Sequence, residues 1–255
     1  ALSLAIGALL VVALTRPEVR GDGDGSRRVV VIVDDGPSMA VMRRDGRTRF
    51  AHAIDRARGL IRGASGPVLV TDTMGRATTP DFTGSAEAFA ALDRLAVVPA
   101  GDRVAPPLPD VPGLAVHLVG DGVGLPALPP GTIVHSVFEP AGHVAVLRLV
   151  ARPRPADPSR VEALVQVLNA SRDAKSVRLT LRGGVRYAVT QQLRMAAGEL
   201  VDATFDVSDF EGGVLAAAAV TTGDAFAGDD IAYAVVPSHR ARRVQLVTHG
   251  HPALA

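Results

Sequence analysis

One stretch constrains this chain more than any other: residues 28–39, RVVVIVDDGPSM. Val29–Val33 is an unbroken run of five β-branched residues, and two carboxylates, Asp34 and Asp35, follow at once. Gly36, Pro37 and Ser38 come next. A continuous β-branched run suits a strand buried on both faces, as in a parallel sheet covered by helices. In open α/β sheets ligands bind at the carboxyl ends of strands, so these acids mark the first candidate site.

The residues downstream extend an α/β pattern. Residues 48–61 carry apolar side chains at near-helical spacing, with Thr48 as N-cap and Gly63 as stop. Residues 67–72, PVLVTD, read as a second buried strand. A strand, helix and strand in this order imply a right-handed parallel crossover. Ser85 is placed to cap a second helix over 85–96. Residues 98–113 hold five prolines and two glycines and are expected to be irregular. Strands follow over 114–119 and 132–137, and Asp121 comes just after the first of them.

Near residue 140 the character changes. Strand patterns recur over 143–153, 160–171, 176–183, 187–196, 199–207, 214–222 and 231–237. Val161, Ala163, Val165 and Val167 alternate with polar or larger residues, as do Val177, Leu179 and Leu181. Period-two alternation means one face buried and one wet. Short strands separated by turn signals point to an immunoglobulin-like β-sandwich. The expected fold class is therefore α/β followed by all-β.

At 255 residues the chain can hold two domains with sizeable cores. Aromatics are 4% and Trp is absent, so those cores must be built from Val, Leu and Ala. A formal net charge of +1 gives no case for nucleic acid or an acidic substrate. The absence of cysteine removes thiolate metal sites and cysteine nucleophiles. Residues 1–14, ALSLAIGALLVVAL, carry no charge. As a helix they rise about 21 Å, short of a hydrocarbon core of roughly 30 Å. Three readings stand: the end of a transmembrane helix, the apolar part of a signal peptide, or a buried core helix. Residues 16–28, with GDGDGS among them, read as a flexible linker and lack the rest of an EF-hand loop. The chain starts at Ala1 rather than Met and ends in HPALA, so it is expected to be part of a longer protein.

Asp34, Gly36 and Ser38 form D-x-G-x-S. This resembles the D-x-S-x-S metal loop of von Willebrand factor type A domains, with Gly36 where one serine should stand. Pro80-Asp81-Phe82-Thr83 resembles the segment that carries the threonine ligand of that family, which makes Thr83 a candidate. Val119-Gly120-Asp121-Gly122 resembles its late strand-end motif, which makes Asp121 the last. The resemblance thus implies a metal-ion-dependent adhesion site of Asp34, Ser38, Thr83 and Asp121. Asp35 stands beside it as an auxiliary acid, and Gly36 marks the lost hydroxyl. Mg²⁺, which takes oxygen ligands in octahedral geometry, is the cofactor implied. The alternative is an inherited scaffold whose acids are solvated loop residues or helix caps. The segment between Leu95 and Leu114 is also shorter than the strand–helix unit the family carries there.

Ala13-Leu14-Thr15-Arg16-Pro17, a linker and the D-x-x-x-S strand are similar to bacterial membrane-anchored Bat-type (aerotolerance regulator-like) proteins. Glu139-Pro140-Ala141-Gly142-His143-Val144-Ala145 resembles the hinge into their β-domain. Asp229-Asp230-Ile231-Ala232-Tyr233-Ala234-Val235-Val236-Pro237, followed by RRVQLVTHGHP, resembles its exit. On this reading 1–15 is the end of a transmembrane helix, 16–28 a linker and 29–140 the type A-like domain. Residues 141–237 are the sandwich, and 238–255 are a linker and the first strand of a further α/β domain. The family implies a non-enzymatic, membrane-tethered module that binds other proteins, with its soluble domains outside the cytoplasm. A small-molecule substrate is not expected.

Two other readings compete with this one. A structural spacer with a vestigial type A domain would merely position a C-terminal domain. A hydrolase is suggested by VVVIVDDG and by Ser38, but nucleophile and acid must come from separate loops that converge on a histidine. Ser38 lies only four residues from Asp34. His117 and His135 sit in apolar strands and are expected to pack or hydrogen-bond there. His249 and His251, and the cluster Arg240, Arg242 and Arg243, are expected in a terminal loop and a solvated connector.

Overall fold

The computed structural model describes residues 27–76, 79–210 and 212–236. The segments 1–15 and 238–255, and the two histidines and three arginines near the C-terminus, lie outside the described residues. No helix among the described residues is long and apolar enough to cross a membrane.

The first half is a four-stranded parallel sheet. Its strands are β1 (Val29–Val33), β2 (Val68–Asp72), β3 (Ala115–Gly120) and β4 (Ile133–Ser136), in the order β2-β1-β3-β4. All five residues of β1 are buried, as an unbroken β-branched strand requires. The register sets Val33 opposite both Asp72 of β2 and Val119 of β3. Three strands therefore end level, and the acids that follow them share one rim.

The two faces of this sheet are covered differently. Helices α1 (Arg49–Gly63) and α2 (Ser85–Leu92) pack on the face of Val29, Val31 and Val33 through Ala53, Ile54, Ala57, Ala88 and Leu92. Val30, Ile32 and Leu118 on the other face are covered by Leu108, Leu125 and Leu128 from irregular segments. Thr48 caps α1 as its sequence implies, accepting from the Ala51 amide at 3.1 Å. Ser85 does not cap α2. It is the first helical residue after Gly84, and the helix stops at Leu92 rather than 96. Residues 98–113 contain no helix or strand; 98–104 lie across the strand ends as a strap, and Leu108 follows on the sheet face.

The second half is all strand. Strands β5 (Val144–Arg154), β6 (Asp157–Asn169) and β9 (Leu200–Asp206) make one antiparallel sheet, in the order β5-β6-β9. β7 (Lys175–Gly183), β8 (Tyr187–Met195), β10 (Gly213–Val220) and β11 (Ile231–Val236) make the other, in the order β11-β10-β7-β8. The sheets share one core that includes Val161, Ala163, Val165, Val167, Leu179 and Leu215. The alternating residues of the sequence are the ones buried.

At the joint the connector after β4 is tied back to the first half, and the Met42 amide crosses to the second. Glu139 accepts from Arg43 Nε and from the Arg44 amide, both at 3.0 Å. The Met42 amide donates to Ala225 O at 2.8 Å, and the Ala225 amide donates to Gly142 O at 3.2 Å. Behind this joint, His143 pairs with Asp229 at 3.2 Å. Its imidazole is held above the usual range, chiefly by that bond. The Asp230 carboxyl is pushed up to about 6 by burial and by Asp224 and Asp229.

The folded chain thus holds a proton on Asp230 between its ordinary 3.8 and about 6, where the unfolded chain has lost it. Stability contributed by this group falls as pH rises through that window, because the native state binds more protons there. Asp230→Asn should melt higher than the wild type above pH 6 and equal to it below pH 4. Thermal melts across that range check it, and a parallel offset at every pH would contradict it.

Candidate functional site

The rim at the ends of β1, β2 and β3 gathers Asp34, Asp35, Thr73 and Asp121, with Ser38 in the short 3-10 turn Pro37–Ala40. Asp34, Asp35 and Thr73 are fully buried, and Asp121 is nearly so. The Asp34 amide donates to Val119 O at 2.8 Å, which ties the first loop to the end of β3. Gly120 is needed for this approach, since a Cβ there would lie 2.7 Å from the Asp34 Cβ.

Three of the four buried acids at this rim are met by arginines; the fourth, Asp72 at the end of β2, accepts from the Met74 and Arg76 amides through Oδ1 and leaves Oδ2 without a partner among the described residues. Asp34 Oδ1 accepts from Arg103 Nε at 2.8 Å, from Thr73 Oγ1 at 3.0 Å and from the Gly36 amide at 3.1 Å. Arg103 Nη2 reaches Asp34 Oδ2 at 3.4 Å and donates to Ser38 Oγ at 2.7 Å. Asp121 Oδ2 accepts from Arg49 Nη1 at 2.9 Å, and its Oδ1 accepts from the Val123 amide. Arg49 Nη2 continues to Glu139 O at 2.7 Å, and its guanidinium lies over the Phe138 ring. Asp35 Oδ2 pairs with Arg76 Nη2 at 2.5 Å. Burial still holds the Asp35 carboxyl above its usual range, against the opposing pull of Arg76.

Of the four ligands expected from sequence, the structure brings Asp34, Ser38 and Asp121 to one rim and leaves Thr83 out. Thr83 exchanges backbone hydrogen bonds with Val68, the first residue of β2, at 2.8 and 2.9 Å. It therefore sits at the opposite end of the sheet, about five strand residues or roughly 16 Å away. Its hydroxyl donates to Glu87. The hydroxyl that does reach Asp34 belongs to Thr73, one residue past β2. Sequence reasoning passes over it, although PVLVTDT places a threonine one step beyond a buried strand end.

A divalent cation of the Mg²⁺ class needs about six oxygen ligands in open, hydrated positions. As arranged, these residues do not fit one. Asp34 and Ser38 already share a guanidinium, Asp121 is spent on Arg49, and Gly36 offers no side-chain oxygen. Among the described residues no group of three or more His, Asp or Glu side chains is placed to hold a metal. Ser38 Oγ, the candidate nucleophile, hydrogen-bonds Arg103; no histidine contact to it exists among the described residues. His117 and His135 bond to each other, Nδ1 to Nε2 at 3.0 Å, in stacked rings on β3 and β4.

No family model matches the chain, and no curated protein matches it. Among solved structures it is similar to a GH3 beta-glucosidase from Bifidobacterium adolescentis, at 12% identity and TM-score 0.25, covering 89% of this chain and 51% of that one. A beta-glucosidase from Listeria innocua in complex with glucose gives 11% identity and TM-score 0.24, over 86% of this chain and 47% of that one. The chain spans about half the length of these proteins, and scores this low assign neither fold family nor activity.

The Arg49–Asp121 pair is the most deeply enclosed, with side chains 7% and 0% exposed. Arg49→Ala should destabilise the chain by about 3–5 kcal/mol, because it strands a buried carboxylate. Arg49→Met with Asp121→Asn should cost clearly less than Arg49→Ala alone. Urea unfolding of both variants measures this; equal losses would refute the assignment.

Proposed function

We propose that the chain is a non-enzymatic structural module of a membrane-tethered protein. In it a degenerate type A-like domain and an immunoglobulin-like sandwich form one spacer that positions a C-terminal domain. The observation that carries this reading is the closure of the strand-end rim. A cation that bridges to a partner must keep at least one coordination position open. Here Asp34, Asp35 and Asp121 are buried and paired with arginines from the same chain. Ser38 Oγ is held by the Arg103 guanidinium rather than by a base, which favours a non-enzymatic role. The joint supports the spacer itself: the Met42 amide of the first half bonds Ala225 O of the second, and Glu139 ties the connector between them to Arg43, the Arg44 amide and Arg49. The apolar segment 1–14 is the proposed tether, with the soluble domains outside the cytoplasm.

A second reading, a module that captures a protein partner, draws on a different surface. Ile231, Tyr233 and Val235 of β11 and Val214 and Val220 of β10 leave apolar side chains exposed on the outer face of the sandwich.

The spacer reading is testable by distance. The chain has no cysteine, so spin labels attach only where they are introduced. Labels at Arg62→Cys on α1 and Arg178→Cys on β7 should give a narrow pulsed-EPR distance distribution. Glu139→Ala should broaden it. A broad distribution in the otherwise unchanged chain would reject a rigid spacer.

A further inference from the structure

We propose that Arg103 is the built-in cation of the strand-end rim: its guanidinium takes the place of a divalent ion, and the site works without metal. Three independent observations meet on this residue. The first is position. Arg103 bridges the Asp34 carboxylate and the Ser38 hydroxyl, the two groups of the first loop that a metal would share. Its side chain is only 9% exposed, so the charge is held inside the protein.

The second is the space it uses. Gly36 stands where the metal-loop pattern would have a serine. A Cβ built on Gly36 would lie 2.4 Å from Arg103 Cζ and 2.6 Å from both Nε and Nη2. Backbone freedom is not the reason for the glycine, because its φ of −70° is open to any residue. The guanidinium lies flat against the bare backbone. A side chain at position 36 would force the planar fork out of this position, so the bare glycine makes room for it.

The third is the way Arg103 is delivered. The strap is pinned on either side of it to the residues that frame the rim. The Val98 amide donates to Asp35 O at 2.8 Å, and the Val104 amide donates to Thr73 O at 2.7 Å. A guanidinium matches a carboxylate in the plane with two parallel hydrogen bonds, which a lysine cannot reproduce. One positive charge also balances Asp34 completely. A divalent ion that took the place between Asp34 and Ser38 would have to displace the guanidinium and lift the strap that carries it.

The built-in cation shares the closed rim with the spacer reading; Mn²⁺ bound at the rim would overturn the built-in cation, whereas a broad label-to-label distance would overturn the spacer alone. The experiment uses the whole chain, with Mn²⁺ followed by EPR and thermal melts in EDTA, Mg²⁺ and Mn²⁺. The wild type should bind no Mn²⁺ at millimolar concentration and should melt at one temperature in all three. Arg103→Ala should lower the melting temperature by about 6–20 °C, the loss expected on stranding a buried carboxylate in a chain of this size. Methylguanidinium at millimolar concentration should restore part of that loss, and methylammonium should not. Arg103→Lys should fall between the wild type and Arg103→Ala. Mn²⁺ bound by the wild type and lost in Asp34→Asn would overturn the proposal, and so would Arg103→Ala melting like the wild type. The wild-type arm decides the matter even where Arg103→Ala does not fold.

Discussion

A carboxylate at the end of a buried strand has lost the water that made its charge tolerable, and the first half of this chain is built to answer that. Moving an unpaired ion into a protein interior costs several kcal/mol even after relaxation, so each such acid needs an opposite charge or several donors. Asp34, Asp35 and Asp121 each have both. Their partners come from different elements: Arg103 from the strap, Arg76 from the turn after β2, and Arg49 from the start of α1. The rim thereby fixes three otherwise independent pieces of chain. Only one lysine, Lys175, is present, and it lies in the sandwich. The cations of the first half are arginines, whose planar fork suits this kind of enclosed pairing.

Arg49 shows how strongly this constraint acts. It stands in the first turn of α1, where the helix dipole disfavours a positive charge and no acid of the same turn relieves it. Its surroundings reverse the balance. Asp121, the Glu139 carbonyl and the Phe138 ring all receive the guanidinium. Since Glu139 also holds Arg43, the same arginine links the rim to the joint with the sandwich. The acids of the rim and the joint between the two halves are therefore parts of one electrostatic assembly.

Much of the architecture is legible in local pattern. The β-branched run of β1 announces a doubly buried strand, and the period-two alternation of β6 and β7 announces the inner face of a sandwich. With few aromatics, the sandwich core is filled largely by Val, Leu and Ala, with Phe205 and Phe210 as its phenylalanines. The rim is only half legible. Asp34, Ser38 and Asp121 follow strand ends, which local pattern can find. Thr83 misleads because its motif resembles a ligand segment, whereas its backbone pairs with Val68 at the far end of β2. Arg103 and Arg49 lie 69 and 72 positions from their acids, and no local signal ties them together. The glycine at position 36, beside two carboxylates, leaves room at the rim, and the structure shows the Arg103 guanidinium in it.

The most direct test is a crystal structure of the chain grown with Mn²⁺ and measured at a wavelength where manganese scatters anomalously. The account predicts no anomalous peak between Asp34 and Ser38, with the Arg103 guanidinium lying there against Gly36. A manganese peak at that point, with Arg103 turned out to solvent, would contradict it.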